Sequence, residues 1–219
     1  MLINEIFCSI NGESSRAGKR TVFIRTFGCN ILCNYCDTLY AVKGNDYTDM
    51  SISEIVNKVE SFNCKRITLT GGEPLLQKDC IELIQTLFDN GYQIEIETNG
   101  AVSLADITSL RDENKLSDDV LITMDWKCPS SDMNGKMITK NLELLHASDV
   151  VKCVVGNEED LQEMIKISKM TKAQVYVSPV FGKIRPVDIA DYIINHELDN
   201  ITMQLQQHKI IWDPNLRGV

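Results

Sequence analysis

Three cysteines lie close together near the start of the chain, at Cys29, Cys33 and Cys36, with the spacing Cys-x3-Cys-x2-Cys. Three thiolates on one loop can hold three irons of a cubane cluster, which leaves the fourth iron open to an external ligand. Zinc is the competing metal, but a closed structural zinc site takes four ligands, usually in two separated pairs, and the next cysteine is Cys64. The spacing therefore favours a 4Fe–4S cluster over zinc, and over three small buried residues that are neighbours by coincidence.

A glycine-rich segment, Thr70-Gly71-Gly72-Glu73-Pro74, is the second candidate for chemistry. Its glycines allow a backbone to approach a ligand closely, and its proline stiffens the turn. Taken alone, the segment is also consistent with an ordinary turn before a helix. Both segments follow apolar runs, and in parallel sheets functional residues gather where strands end. We therefore expect the two segments to share one site.

The elements that must position these segments alternate in type. Seven apolar, β-branched runs predict strands, at residues 21–27, 66–70, 92–98, 120–125, 150–155, 174–178 and 201–205. Five amphipathic runs predict helices, at residues 51–59, 78–90, 136–147, 158–171 and 186–197. This alternation is typical of an α/β fold with a mainly parallel sheet. A closed eight-unit barrel takes about 250 residues, so we expect an incomplete, open β/α barrel that forms one domain over residues 1–219.

The composition narrows the class of protein. Lys and Arg number 22 against 31 Asp and Glu, so the net charge is −9, and we expect no nucleic-acid partner because phosphate binding needs a positive surface. No apolar run approaches the ~18–20 residues of a membrane helix, and the first residues lack the basic start of a signal peptide. We expect a cytoplasmic protein without a membrane partner, in which the five cysteines outside the triplet are small hydrophobic residues.

The cysteine triplet and the glycine-rich segment together resemble the radical S-adenosylmethionine (SAM) superfamily. This resemblance implies that the amino and carboxylate groups of SAM chelate the unique iron, and that the Gly-Gly-Glu-Pro loop contacts the same amino group. Segments at the ends of the fourth and sixth predicted strands also match SAM-binding positions. The implied SAM-binding residues are Tyr35, Asp37, Gly72, Glu73, Asp125, Trp126, Lys127, Ser178 and Pro179.

The opening segment, residues 5–14, resembles the 7-carboxy-7-deazaguanine synthase family, whose Glu-Ile-Phe…Gln-Gly-Glu-Gly segment binds a pterin. Here Asn11 replaces the usual Gln and Ser14 the usual Gly. The family's Cys-Asp-Thr, Glu-Thr-Asn-Gly and Gln-x-His tail motifs are also present, and Thr38 of the first is the implied Mg²⁺ ligand. The implied substrate-binding residues are Ile10, Asn11, Gly12, Glu13, Arg25, Thr70, Glu97, His208 and Val219.

Several of these residues also have ordinary structural interpretations. Arg25 would otherwise be a surface ion-pair residue, and Thr38 a helix cap. Asp125 and Lys127 would be a solvated pair at a strand end, and His208 a packed histidine. The structure distinguishes between these interpretations.

The family resemblance implies a specific reaction, the ring contraction of 6-carboxy-5,6,7,8-tetrahydropterin to 7-carboxy-7-deazaguanine with loss of ammonia, in queuosine and 7-deazaguanine biosynthesis. It implies a 4Fe–4S cluster, SAM and Mg²⁺ as cofactors, an external one-electron donor such as flavodoxin or ferredoxin, and a homodimer. The segment Asp125-Trp126-Lys127 also resembles the SAM-binding segment of glycyl-radical activating enzymes. An activase is therefore the alternative enzyme, and a zinc or iron–sulfur binding module is the non-enzymatic one.

Overall fold

The computed structural model describes residues 1–214 and 216–219, and in it nine strands form one open sheet. The strands are β1 (Leu2–Ile10), β2 (Arg20–Thr26), β3 (Thr48–Asp49), β4 (Arg66–Gly71), β5 (Gln93–Thr98), β6 (Val120–Trp126), β7 (Val150–Val155), β8 (Gln174–Pro179) and β9 (Ile201–Met203). Their order is β3-β1-β2-β4-β5-β6-β7-β8-β9. Seven strands run parallel to one another: β2, β4, β5, β6, β7, β8 and β9. Strand β1 pairs antiparallel with both β2 and β3. The predicted seven parallel strands and open barrel are confirmed.

Seven α-helices connect or follow the strands: α1 (Ile52–Glu60), α2 (Cys80–Asp89), α3 (Ala105–Asp112), α4 (Asn141–Leu144), α5 (Glu158–Ser168), α6 (Pro186–Asn195) and α7 (His208–Ile211) within the described part of the chain. Helix α1 begins at a capping box, because the Ser51 side chain accepts from the Glu54 backbone N–H and Glu54 accepts from that of Ser51. Helix α2 ends just before Gly91, whose φ of 73° suits glycine. None of the helices in the described ranges is long and apolar enough to cross a membrane.

Three helices in the described part of the chain differ from the sequence prediction, including the single turn α7, which was not predicted. The helix predicted at residues 136–147 is only the single turn α4, because Asn141 donates to the Gly100 and Val102 carbonyls and accepts from Leu104 N–H, which ties this segment to the loop after β5. Helix α3 was not predicted. Its buried face includes Thr108 and Arg111, so it lacks a regular apolar stripe.

Alternate residues along the parallel strands face opposite layers. Ile67 and Ile94 belong to the apolar core packed beneath the helices, and both are fully buried. Their neighbours Thr68 and Glu95 are equally buried but point to the other side, because side chains alternate along a strand. The inside of the open barrel is therefore polar. At the carboxyl ends of the parallel strands, the interior widens into a cavity.

Candidate active site

A cavity of about 870 Å³ opens at the carboxyl ends of the parallel strands. This volume is near the upper end of the roughly 300–1,000 Å³ typical of ligand pockets. The predicted residues that line it are Ile10, Asn11, Gly12, Glu13, Arg25, Cys29, Cys33, Tyr35, Cys36, Asp37, Thr38, Thr70, Gly72, Glu97, Asp125, Lys127, His208 and Val219. Sequence positions more than 200 residues apart thus meet in one cavity, since Ile10 and Val219 both line it.

The cysteine loop follows directly on β2 and forms one wall of the cavity. All three cysteines are free and partly buried, and the Cys36 N–H donates to the Cys33 carbonyl at 3.2 Å. Burial raises the pKa of the Cys29 and Cys33 thiols, so metal binding there must release protons. In the described residues, no three His, Cys, Asp or Glu side chains converge on a single ion. A cubane does not require this, because each thiolate binds a different iron. The donor set therefore fits an iron–sulfur cluster.

The glycine-rich loop packs against the cysteine loop through its backbone. The Gly72 N–H donates to Thr26 O at 3.0 Å, and the Glu73 N–H donates to Gly28 O at 2.8 Å. A Cβ atom added at Gly72 would lie 2.0 Å from Gly28 O, and one at Gly71 would lie 2.2 Å from Thr26 Oγ1. The sequence interpretation assigned these glycines to the close approach of a ligand; both line the cavity, and the structure shows that Thr26 and Gly28 at the end of β2 also require them.

Glu73 is fully buried and is not among the cavity-lining residues. Its carboxylate accepts from the Leu75 N–H at 3.0 Å, from Thr98 Oγ1 at 2.9 Å and from the Asn99 N–H at 2.7 Å. Burial raises the pKa of this carboxyl, although the hydrogen bonds oppose the shift. Asn99 in turn donates to Cys29 Sγ at 3.4 Å. Glu73 therefore connects the glycine-rich loop to the end of β5 and, through Asn99, to the cysteine loop.

A row of charged groups crosses the cavity floor between β6 and β7. Lys127 Nζ lies 3.0 Å from Asp125 Oδ2, and Lys152 Nζ lies 3.3 Å from Asp125 Oδ1 and 3.1 Å from Glu13 Oε2. Burial alone would raise the pKa of Asp125, but the two lysines hold it below its ordinary value. Since the side chains of Asp125 and Lys127 are only 26% and 14% exposed, they are not a solvated pair.

The polar turn after β1 is fixed by a buried network. Asn11 Nδ2 donates to Glu95 Oε2 at 2.7 Å, Thr123 Oγ1 donates to Glu95 Oε1 at 2.6 Å, and the Ser14 and Thr123 hydroxyls are 2.6 Å apart. Ser14 has a φ of 65°, in the left-handed region that favours glycine. This conformation explains why glycine suits that position. Asn11, which lines the cavity, donates its side-chain N–H to Glu95 and accepts from the Glu13 N–H at 3.3 Å through Oδ1.

The chain returns to this turn near its end, at α7. The Gln207 N–H donates to Gly12 O at 3.1 Å, and a Cβ atom at Gly12 would lie 2.3 Å from His208 Nδ1. Gly12 therefore leaves room for the imidazole, which lines the cavity. Burial lowers the pKa of His208, so the ring favours its neutral form there.

Arg25 is held in an ion pair within the cavity wall. Its Nε lies 2.8 Å from Glu5 Oε1, and the two side chains are 14% and 17% exposed. The Tyr40 hydroxyl donates to the same Glu5 oxygen at 3.1 Å. This is a partly buried pair at the site and not an isolated surface one.

Thr38 begins a single 3-10 turn, but its side chain makes no capping hydrogen bond. Its hydroxyl lies 3.7 Å from Cys36 Sγ and lines the cavity. The adjacent Asp37 accepts an ion pair from Lys209 at 2.8 Å. Burial alone would raise the pKa of Asp37, but Lys209 holds it below its usual range.

Glu97 and Thr70 face each other on β5 and β4, where Thr70 Oγ1 donates to Glu97 Oε2 at 2.9 Å. Burial raises the pKa of Glu97 to about 7. The carboxyl therefore changes its protonation near neutral pH.

Four residues of the predicted SAM set do not line the cavity: Glu73, described above, and Trp126, Ser178 and Pro179. Trp126 has its ring on the helix side of β6, where Nε1 donates to Glu163 at 3.3 Å. Ser178 is fully buried on β8, and its Oγ has no hydrogen-bond partner among the described residues. Tyr35 does line the cavity and donates to Val154 O at 3.4 Å, and burial raises its pKa.

Sequence reasoning missed Lys152 and Glu95, and it expected the segment with Asn99 at the pocket, which Asn99 lines. The available signal was a charged residue at an inward position of a buried strand, since charged groups are seldom buried unless they are paired. Lys152 interrupts the apolar run of β7, and Glu95 that of β5. Asn99 lies inside a recognised motif without a role having been assigned to it.

Comparison with known proteins agrees with this geometry. The family model of the radical SAM superfamily matches residues 23–146. The 7-carboxy-7-deazaguanine synthase of Clostridium acetobutylicum is 43% identical over 98% of this chain and 97% of that protein. The enzyme of the same name from Methanospirillum hungatei is 42% identical over 98% of this chain and 86% of that protein.

Two crystal structures share the fold. QueE from Escherichia coli superposes with a TM-score of 0.75 over 94% of both chains, at 19% identity. Streptococcus suis SuiB bound to S-adenosylmethionine gives a TM-score of 0.57 over 82% of this chain and 48% of that one, at 15% identity. The chain therefore belongs to the radical SAM superfamily and, within it, to the 7-carboxy-7-deazaguanine synthase family. Superfamily membership implies a 4Fe–4S cluster and SAM as its cofactors.

Proposed function

We propose that this chain converts 6-carboxy-5,6,7,8-tetrahydropterin to 7-carboxy-7-deazaguanine with release of ammonia, in queuosine and 7-deazaguanine biosynthesis. The observation that carries the proposal is one cavity lined by both the cysteine loop and the pterin-type opening segment. The near full-length relatives, both 7-carboxy-7-deazaguanine synthases, support it over a glycyl-radical activase. A structural zinc site would need only the cysteine loop, and it would not account for the opening segment that lines the same cavity.

The residues proposed to hold the cluster are Cys29, Cys33 and Cys36. When bound, the cluster and SAM supply one-electron chemistry that removes hydrogen from C6 of the pterin. The chain's own part is to orient both ligands and to exclude water and oxygen. Among the proposed SAM contacts, Asp125 and Lys127 present a carboxylate and an ammonium to the amino-acid part of SAM, and both line the cavity.

The other proposed SAM residues divide by position. Gly72 contributes backbone at the cavity, and Tyr35 and Asp37 line it. Glu73, Trp126, Ser178 and Pro179 lie behind the lining residues, so we propose that they act by shaping the wall.

The pterin is proposed to lie between the opening segment and the strand ends. Arg25 provides the cation for its 6-carboxylate, because its pairing with Glu5 uses only Nε of the guanidinium. Glu13 and Glu97 accept N–H groups, and Thr70 and Asn11 hold these walls in position through Glu97 and Glu95. The remaining proposed contacts are Ile10, Gly12, His208 and Val219.

Mg²⁺ is the proposed third cofactor, with Thr38 as its protein ligand. The absence of a capping hydrogen bond leaves the Thr38 hydroxyl available to a metal in this part of the described chain. Mg²⁺ commonly takes few protein ligands and completes its shell with substrate and water. The carboxylate of the pterin supplies such oxygens.

We further propose a homodimer in the cytoplasm, one domain per chain, that receives electrons from flavodoxin or ferredoxin. The dimer and the donor follow from the family. Eight free cysteines suit a reducing compartment.

The proposal is tested by anaerobic turnover of the reconstituted protein with SAM, Mg²⁺, a reductant and 6-carboxytetrahydropterin. Mass spectrometry should detect 7-carboxy-7-deazaguanine in excess over 5′-deoxyadenosine, since SAM is expected to be used catalytically. Formation of 5′-deoxyadenosine without this product would support radical SAM chemistry but would refute 6-carboxytetrahydropterin as the substrate.

A further inference from the structure

Lys152 is a buried cation that none of the sequence motifs includes. It lies on β7, is 5% exposed, and its Nζ is 3.1 Å from Glu13 Oε2 and 3.3 Å from Asp125 Oδ1. Glu13 belongs to the turn after β1, and Asp125 to the end of β6. A single ammonium thus joins two segments that lie on different sides of the cavity. Burying such a group costs free energy unless it is paired, as it is here.

At Glu13, the pairing occupies only one of the two carboxylate oxygens. Oε2 accepts from Lys152 and, at 3.4 Å, from Gln206 Nε2. Oε1 is buried and has no hydrogen-bond partner among the residues that the structure describes. A buried acceptor without a donor is costly, and Glu13 lines the cavity, so a ligand N–H is the group that can satisfy Oε1.

At Asp125, the two oxygens are held from opposite sides. Lys127 Nζ donates to Oδ2 at 3.0 Å, whereas Lys152 Nζ lies 3.3 Å from Oδ1 in an ion pair without a hydrogen bond, so electrostatic attraction from both lysines acts on this carboxylate. Lys152 therefore contacts both Glu13, a proposed pterin-binding residue, and Asp125, a proposed SAM-binding residue.

We infer that Lys152 is a positioning residue for the pterin: it fixes Glu13 so that Oε1 faces the N–H edge of the ligand, and it couples this half of the site to Asp125. The inference rests on the proposed function. The 2-amino-4-oxo ring of a pterin presents neighbouring N–H donors, which are the groups that a fixed carboxylate oxygen accepts.

The test measures pterin binding without turnover. Holoenzyme reconstituted with cluster and SAM, but given no reductant, is dialysed anaerobically against 6-carboxytetrahydropterin to obtain a Kd. Lys152→Met is expected to raise this Kd by about tenfold to a hundredfold, the usual effect of losing a charge-assisted hydrogen bond. Lys152→Arg should recover most of the affinity. Lys166→Met removes a lysine that is 67% exposed on α5 and is expected to leave the Kd unchanged.

A double-mutant cycle distinguishes positioning from simple charge attraction. If Lys152 acts through Glu13, the double variant Glu13→Gln/Lys152→Met binds no more weakly than the weaker single variant. Additive losses would overturn the inference, as would an unchanged Kd for Lys152→Met. If the Met variant does not fold, Lys152→Arg must bind at least about tenfold more tightly than Lys152→Gln, because only Arg retains the charge. A wild-type protein that does not bind the pterin would instead refute the proposed function.

Discussion

Gly72→Ala provides a direct test of how the two catalytic loops are held together. A methyl group at this position would lie 2.0 Å from Gly28 O, 2.5 Å from Gly28 C and 3.2 Å from Cys29 N. Restoring ordinary van der Waals contact requires the loops to separate by about 1.5 Å. Both obstructing groups are backbone, so no side chain can rotate away.

The expected cost has two parts. Overpacking of this kind costs about 1–3 kcal/mol. The separation also breaks the 2.8 Å hydrogen bond from Glu73 N–H to Gly28 O, which is worth about 0.5–1.5 kcal/mol. A total of about 1.5–4.5 kcal/mol lowers the Tm of a chain of this size by roughly 3–18 °C. Because Gly28 precedes Cys29, the iron content after reconstitution should fall as well.

Thermal unfolding and iron analysis of the purified variant measure these effects. Gly135→Ala is the matched control, since a Cβ atom there meets nothing within 4 Å, and its Tm should remain close to that of the wild type. A Gly72→Ala protein with unchanged Tm and full iron content, but weak SAM binding, would refute the reasoning. That result would mean that Gly72 serves the ligand and not the neighbouring backbone.

Three further predictions concern individual side chains. Cys33→Ala should abolish the brown colour and most of the iron of an anaerobic preparation, whereas Cys8→Ala should retain both; a full cluster in the first variant, seen by absorption spectroscopy, would contradict its assignment as a ligand. Burial raises the pKa of Glu97 to about 7 from 4.5 in the unfolded chain. Between pH 4.5 and 7 the folded protein therefore binds a proton that the unfolded chain has lost, and its stability falls as pH rises through this range. The fall in Tm should be smaller in Glu97→Gln, and an identical pH profile of Tm in the two proteins would exclude this titration. Thr38→Val should raise the Mg²⁺ concentration for half-maximal turnover by about tenfold or more, Thr38→Ser should leave it nearly unchanged, and equal Mg²⁺ dependence in both variants would remove Thr38 as a ligand.

The seven parallel strands were predictable because each is a short apolar run with clear boundaries, whereas the antiparallel strands β1 and β3 were not among the predicted runs. Residues 150–155, for example, were predicted and observed as β7 with the same limits. Helix α3 could not be found in this way, because tertiary contacts and not an apolar stripe bury Thr108 and Arg111. The helix expected at residues 136–147 failed for the converse reason, since Asn141 makes its hydrogen bonds to a distant loop.

The candidate site was predictable where a local motif marked it. The cysteine loop and Thr38 were found from spacing and family resemblance, and they line the cavity. Lys152 was not found, because its meaning depends on Glu13, which lies 139 positions away in the chain. For Gly71 and Gly72, which line the cavity as predicted, the fold adds a second reason for glycine, the close approach of Thr26 and Gly28. Sequence shows that a glycine permits close approach, but only the fold shows what approaches it.

The alternation along the parallel strands separates two kinds of evolutionary constraint. Residues such as Ile67 and Ile94 pack under the helices, whereas their immediate neighbours Thr68 and Glu95 face the barrel interior. The helix-facing positions need only apolar volume, whereas the inward positions need a matched hydrogen-bond partner, as Glu95 has in Asn11 and Thr123. The likeness to SuiB at 15% identity shows how far sequences on this architecture diverge. A library that alters the ring system accepted by the cavity must therefore vary hydrogen-bonded partners such as Asn11, Glu95 and Thr123 together, because changing one alone would leave a buried group unpaired.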